Sequence, residues 1–185
     1  MDKTPESWRD ITISQYDDIM IALETENKIE RDYLILAILH NVGVKDIKKL
    51  PISTVNEMMS KLKFLDTKPN NDFNKIIEID GIRYGFITDT SEISYPEYID
   101  LDMNSMNWED GKHKLMSILY RRIIKEDNLG YYIEEYDPKV ANQIADIFYN
   151  RASYQDLYGV HLFFSIFVIE LLRISPQFLT QLNQT

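Results

Sequence analysis

The chain has 185 residues, the size of one domain or at most two small ones. With 44% hydrophobic and 27% charged residues and no cysteine, it is neither disordered, collagen-like nor built on disulfides, and it has no thiolate metal site or cysteine nucleophile. The net charge of −10 is spread evenly, −5 in residues 1–92 and −5 in residues 93–185. A protein that binds a phosphate backbone gains affinity from Lys and Arg side chains. Because acidic residues outnumber these in both halves of the chain, we expect no specific nucleic-acid binding.

The first half of the chain predicts an arm followed by helices. Residues 1–12 are the expected N-terminal arm, with Trp8 as its anchor. Apolar residues at helical spacing then predict helices over residues 15–26 and 28–40, a short helical turn over 45–51 and a helix capped by Ser53. Gly43 is expected to end the second of these helices, in or just past its C-cap.

A β-hairpin is predicted over residues 75–87. Its centre is Asp80-Gly81, a dipeptide favoured by the two-residue type I′ turn, and both flanking segments carry apolar residues suited to a half-buried ribbon. An isolated two-stranded hairpin is only marginally stable in water. It must therefore pack on the helices or on another subunit.

The second half of the chain returns to helical patterns. In order, we expect a helix capped by Ser94, a long amphipathic helix over 108–125, a Tyr-rich acidic connection over 126–137, a helix opened by Pro138, a last helix over 154–174 and a C-terminal tail over 175–185. Asp137 directly precedes Pro138 and is expected to be an N-cap. Residues 1–185 are thus expected to form a single, mainly α domain (α+β) of six to seven helices with one inserted β-hairpin.

The most apolar stretch, residues 157–174, is interrupted by His161, Glu170 and Arg173. A membrane-spanning helix needs about 20 mostly apolar residues. We therefore expect a buried core helix and no membrane association. The first ten residues are polar and acidic, so no signal peptide is expected either.

No sequence motif predicts catalysis. His40, His113 and His161 are far apart, the H-E-x-x-H and G-x-S-x-G motifs are absent, and the six glycines form no phosphate-binding loop. Acidic pairs such as Asp100 and Asp102 could hold Mg²⁺ or transfer protons, but a chain with 30 acids places such pairs on solvated faces routinely. We expect no enzyme, and no catalytic residue, metal, cofactor or small-molecule substrate.

Tyrosine is the feature that points to a protein interface. Six of the 12 tyrosines fall between positions 131 and 158. Tyrosine is enriched in interfaces, although a helical domain also uses it where the hydroxyl reaches water. The candidate interface residues are Tyr131, Tyr132 and Tyr136 from this cluster and Phe178, Leu179 and Leu182 from the tail.

A series of short motifs gives a resemblance to a known family. The motifs are W-R-D-I-T-I-S-Q-Y at 8–16, L-P at 50–51, K-F-L at 63–65, I-x-I-D-G-x-x-Y at 77–84, E-Y-I-D-L-D at 97–102 and I-L-Y-R-R at 118–122. In this order they resemble small structural and assembly proteins of tailed bacteriophages that infect Bacteroidetes, the crAss-like phages among them. The resemblance covers about two thirds of the chain and stops before residue 126.

The resemblance implies a non-enzymatic protein of the phage virion, in the tail or portal–tail region, made in the host cytoplasm. It fits a ring-forming subunit of the head-to-tail connector or upper tail, which contacts other copies of itself and other phage proteins. It also fits a tail-assembly chaperone that binds the tape-measure protein and is absent from the mature virion, and a host-directed binding module is a third reading. We favour the ring because its head-to-tail contacts join different faces, which a hairpin and an apolar tail can provide.

Overall fold

The computed structural model describes residues 3–87 and 93–165. Over these residues the chain forms helices and a four-stranded antiparallel sheet, which confirms the mainly α, α+β fold. The helices are α1 (Ile13–Leu23), α2 (Lys28–Leu39), α3 (Val44–Ile47), α4 (Ile52–Lys61), α5 (Tyr95–Met106), α6 (Trp108–Leu119), α7 (Pro138–Arg151) and α8 (154–165). The strands are β1 (Ile76–Ile79), β2 (Ile82–Phe86), β3 (Tyr120–Asp127) and β4 (Gly130–Ile133).

Two of the predicted helix caps are confirmed. The Ser94 hydroxyl accepts a hydrogen bond from the Glu97 backbone N–H, and the Glu97 carboxylate accepts one from the Ser94 N–H at 2.9 Å. The Asp137 carboxylate accepts a hydrogen bond from the Lys139 N–H at 2.8 Å. The cap expected at Ser53 is wrong: the N-cap of α4 is Pro51, two residues earlier, and the helix begins at Ile52. A proline before the first turn fixes that start because its ring favours an extended entry into the helix.

The end of α2 differs from the expectation because asparagine takes the place of glycine. Asn41 adopts the left-handed conformation with φ +48°. Its N–H donates to the Ile38 carbonyl at 3.1 Å, and the Val42 N–H donates to the Ala37 carbonyl at 3.0 Å. This pair of bonds is the Schellman arrangement, which satisfies the last free carbonyls of a helix and usually uses glycine, sometimes asparagine. Gly43 lies further on and is the N-cap of α3.

The hairpin predicted over residues 75–87 is confirmed as β1 and β2. Ile79 pairs with Ile82 across the turn, and Asp80 (φ +51°) and Gly81 (φ +78°) both have the positive φ that a type I′ turn requires. The sheet runs in the order β1-β2-β3-β4. The hairpin is therefore stabilised by a further strand as well as by the helices beneath it.

The helix expected over 108–125 is wrong at its end, because α6 stops at Leu119 and Tyr120 begins β3. Residues 120–122 pair with β2, and beyond a register shift between Ile123 and Lys125 the strand pairs with β4. The connection expected over 126–137 thus contains a second hairpin. Pairing with β2 satisfies backbone groups that a continued helix would leave at an open sheet edge, and it buries Tyr120 completely.

Buried side chains of the described residues form two clusters. The first lies among α1–α4 and includes Ile11, Ile19, Leu36, Ile47 and Val55. The second lies between the sheet and α5–α8 and includes Tyr84, Leu115, Met116, Tyr120, Phe148 and Leu157. No helix within residues 3–87 and 93–165 is long and apolar enough to cross a membrane.

Aromatic and backbone contacts join the two clusters. The rings of Tyr16 and Tyr154 stack with centroids 3.6 Å apart, and Trp8 packs against Tyr154 at 5.3 Å. The Tyr154 N–H donates to the Ile11 carbonyl at 2.7 Å, so the arm expected over 1–12 is held at its Trp8 anchor and at Ile11. The tail over 175–185 and the end of the last helix lie outside the described residues, and the single domain over 1–185 stays a prediction.

Candidate protein-interaction surface

Tyr131 lies on β4, and its ring packs over Gly85 of β2 in the same sheet. Its hydroxyl donates to the Phe86 carbonyl at 2.8 Å, and burial raises the pKa of that hydroxyl. A Cβ atom on Gly85 would lie 2.4 Å from the Tyr131 ring, so only glycine leaves the ring room to lie across β2. An aromatic ring that covers a glycine is a known way of stabilising a sheet. The structure therefore gives Tyr131 a role within the chain.

Tyr136 connects the segment after β4 to α5. Its hydroxyl donates a short hydrogen bond to the Asp100 carboxylate, and burial together with Asp100 raises the Tyr136 pKa. Beside this bond, the guanidinium of Arg121 on β3 lies 3.1 Å from the carboxylate of Glu97. Glu97 is only 5% exposed. These polar contacts hold the inner side of α5 against the sheet.

Tyr132 is the member of the predicted trio that faces solvent. It is 49% exposed, and the Lys125 ammonium lies 5.2 Å from the centre of its ring. Ile124 and Leu129 of the same hairpin are exposed as well, Leu129 to 94% at the turn. We call Ile124, Leu129 and Tyr132 the hairpin tip. The predicted partners Phe178, Leu179 and Leu182 lie outside the described residues.

A second set of apolar side chains covers the outer side of α5. Tyr95, Ile99, Met103 and Met106 recur at i, i+4, i+8 and i+11, which places them on one face of the helix, and Tyr98 lies beside them. Tyr95 is 76% exposed and Met106 is 78% exposed. These five residues are named the α5 face. The described part of the chain leaves it open to solvent.

The orientation of α5 is reversed from what its apolar periodicity predicts. Its inner side carries Glu97 and Leu101, and α6 approaches so closely that a Cβ on Gly111 would lie 2.1 Å from the Asn104 carbonyl oxygen. The sequence reasoning missed the α5 face because an apolar stripe normally marks the buried side. The sequence does contain one signal for this surface. The apolar stripe of α5 is strong, whereas the opposite side of the helix carries little that is apolar besides Leu101.

A further apolar surface lies at the end of the α1–α2 pair. Met20, Ile21 and Leu23 from α1 and Ile29 from α2 are all exposed. The two helices are joined by only residues 24–27, so these side chains surround one turn. We call this set the α1–α2 surface. The helices that carry the α1–α2 surface pack around the first buried cluster, whereas α5 packs against the second.

A cleft with a volume of about 680 Å³ lies between α1, α2 and the end of α7. Its lining mixes apolar residues of α2, such as Leu34 and Ile38, with polar ones such as Gln15, Asp18 and Arg151. Within residues 3–87 and 93–165, no group of three or more His, Asp and Glu side chains is placed to hold a metal ion.

A buried polar cluster connects α6 to α1. The Lys112 ammonium lies 2.8 Å from the Asp17 carboxylate and is almost fully buried, and the His113 ring lies 4.9 Å from the Tyr149 ring. Burial, followed by the charge of Lys114, lowers the pKa of His113. Burial and the nearby Asp17 raise the pKa of Tyr149 to about 12. Both groups are held neutral, as expected of packing residues.

The half-buried His113 predicts a loss of stability in mild acid. Its pKa in the folded chain lies below the ordinary value of 6.5, so the unfolded chain binds the proton more tightly. The stability contributed by the neutral His113 is therefore fully present above pH 6.5, and the free energy of unfolding falls as the pH drops below that value. His113→Asn should flatten this dependence in urea denaturation between pH 7.5 and 5.5. His161, whose pKa burial also lowers, keeps part of the slope. Identical slopes in the variant and the parent would contradict the assignment.

The described surface therefore combines exposed apolar patches with a body whose buried polar groups are engaged in packing. Contiguous apolar patches of this kind mark sites of protein association. Their residues come from α1, α2, α5 and the β3–β4 hairpin. No protein-family model, no curated protein and no solved structure matches the chain.

Proposed function

We propose that the chain is a non-enzymatic structural subunit of a phage particle, where copies form a ring in the head-to-tail connector or upper tail. The observation that carries the proposal is the α5 face, an apolar helix surface held outward by polar contacts on its inner side. The proposal of a phage protein rests on the motif series between residues 8 and 122. The proposal that copies associate rests on the exposed apolar surfaces of the folded chain.

The α5 face favours burial against another protein. Transfer of a single exposed methionine or isoleucine side chain out of water contributes about 1.5–3 kcal/mol. Ile99, Met103 and Met106 are all more than a third exposed, so their burial would drive association. The polar contacts of Glu97 and Asp100 keep the helix from turning these side chains inward.

A ring also needs two different surfaces on each copy, because head-to-tail contacts join unlike faces. The α1–α2 surface and the hairpin tip provide apolar surfaces away from α5, one on the first cluster and one on the β3–β4 hairpin. The net charge of −10 suits a channel through which DNA passes without binding, since like charges repel. Both features support a closed assembly around DNA.

A tail-assembly chaperone for the tape-measure protein is the second candidate. Met103 and Met106 on the α5 face favour it, because methionine adapts to varied partners and an apolar helix face can receive another helix. A chaperone would bind during assembly and leave before the particle is complete. The two candidates therefore differ in whether the chain remains in the virion.

The test is mass spectrometry of gradient-purified particles of the phage that encodes the chain. We expect its peptides at a fixed copy number equal to a ring symmetry. Phage that carry Met103→Glu should incorporate at least tenfold less of the protein, whereas Ile52→Glu, the same change at an exposed position on α4, should leave incorporation unchanged. Absence from particles with abundance in infected cells would overturn the ring and leave the chaperone or the host-directed module.

A further inference from the structure

The described part of the chain ends near the junction of α5 and α6. The His161 ring on α8 lies 4.2 Å from the Trp108 ring. Trp108 begins α6, two positions after Met106 ends α5, and residue 165 is one helical turn beyond His161. Residues 166–185 therefore continue from a point one helical turn beyond a residue that contacts the start of α6, just after the end of α5.

The composition of residues 166–185 matches the α5 face. The segment carries one acid and one base, Glu170 and Arg173, so the whole net charge of −10 belongs to residues 1–165. Its ten apolar residues are Ile166, Phe167, Val168, Ile169, Leu171, Leu172, Ile174, Phe178, Leu179 and Leu182. Two acidic bodies repel each other, and a neutral apolar segment is the part of the chain that joins them at the lowest electrostatic cost.

The length of the segment is sufficient to reach a neighbour. The 12 residues of α5 span roughly 18 Å at about 1.5 Å per residue. Twenty residues span about 30 Å even as a continuous helix, and about twice that when extended. The segment can therefore leave its own body and still cover the α5 face of another copy.

We propose that residues 166–185 of each copy bind the α5 face of the next copy. The segment and the face are different surfaces of one chain, so the contact is head-to-tail and repeats from copy to copy until the ring closes. This inference rests on the proposed function and names the contact by which the copies join. It also assigns a role to Phe178, Leu179 and Leu182.

The experiment is complementation between two full-length variants. The face variant carries Ile99→Glu and Met103→Glu, and the tail variant carries Phe178→Glu and Leu182→Glu. Ile99 and Met103 are exposed, so their replacement opens no cavity, and circular dichroism checks that both chains fold. By native mass spectrometry and light scattering, the parent and the Ile52→Glu control should form closed oligomers, and each variant alone should be monomeric.

An equimolar mixture of the two variants should form one-to-one dimers and nothing larger. The face variant still offers an intact segment and the tail variant an intact α5 face, so one productive contact remains. If either variant alone assembles as the parent does, the copies join through other surfaces, and the inference is overturned while the ring stands; this is also the result if each segment covers its own α5 face. A mixture that stays monomeric while the parent assembles overturns the inference as well.

A synthetic peptide of residues 166–185 separates failure of the contact from failure of the ring. It should bind the tail variant and bind the face variant at least tenfold more weakly, as measured by fluorescence anisotropy. Equal or absent binding overturns the contact. A parent chain that is monomeric at every concentration and absent from particles overturns the ring, whatever the peptide does.

Discussion

Gly159→Ala is expected to lower the free energy of unfolding by about 1–3 kcal/mol. A loss of stability is the opposite of the usual effect, because alanine normally stabilises a helix by roughly 1 kcal/mol relative to glycine. Gly159 lies in α8, and a Cβ there would be 2.3 Å from the Asp72 carbonyl oxygen. A backbone atom cannot rotate away as a flexible side chain can. Urea denaturation followed by circular dichroism measures the change.

The loop that carries Asp72 is held too firmly to retreat. The Gln155 side chain donates to the Asn70 carbonyl at 2.8 Å, and the Phe73 ring stacks on the Phe163 ring at 4.9 Å. The matched control is Gly43→Ala, where the nearest atom to the new Cβ is 3.4 Å away and φ is −73°. Because glycine is preferred over alanine at the N-cap of a helix, Gly43→Ala should still lower the free energy of unfolding, but by less than about 1 kcal/mol. Equal effects of the two substitutions would contradict the close approach of α8 to this loop.

Arg121→Met is expected to lower the free energy of unfolding by about 3–5 kcal/mol, more than Gly159→Ala. It removes the partner of Glu97, which is nearly fully buried on the inner side of α5. The buried carboxylate has lost its hydration, and without Arg121 only its hydrogen bonds from Ser94 remain to compensate its charge. The same urea denaturation measures the loss. The α5 face should lose its fixed orientation in this variant.

The double variant Glu97→Gln/Arg121→Met provides the control. Glutamine keeps the capping box with Ser94 and removes the charge, so the double variant should be more stable than Arg121→Met alone. Lys49→Met breaks the exposed pair with Asp46 and should lower the free energy of unfolding far less than Arg121→Met does. If the double variant is no more stable than Arg121→Met, the loss arises from packing rather than from the charge of Glu97.

Local signals explain why much of the fold could be predicted. The Asp80-Gly81 turn and the caps at Ser94 and Asp137 are determined by neighbouring residues, so the sequence pattern is sufficient to place them. The start of β3 at Tyr120 is determined by pairing with β2, about 35 positions earlier. Ile123 also continues the helical spacing of α6. No local pattern could therefore separate strand from helix there.

The interaction surface was harder to predict because solvent exposure depends on the whole fold. Of the tyrosines predicted at an interface, Tyr132 is exposed, whereas Tyr131 and Tyr136 use their hydroxyls within the chain. The outward α5 face depends on Glu97 finding Arg121 on a distant strand. Periodicity reports that a helix has an apolar side, and only tertiary contacts decide which side is buried.

The bridge between Thr12 and Ser153 has a consequence for the order in which the molecule is made. The two residues are 141 positions apart, so the backbone bonds of residues 11–13 must wait until residues 152–154 have emerged from the ribosome. Domains fold as they are synthesised, with the N-terminal part first. The first cluster thus stays incomplete, with its Trp8 side uncovered, through most of translation.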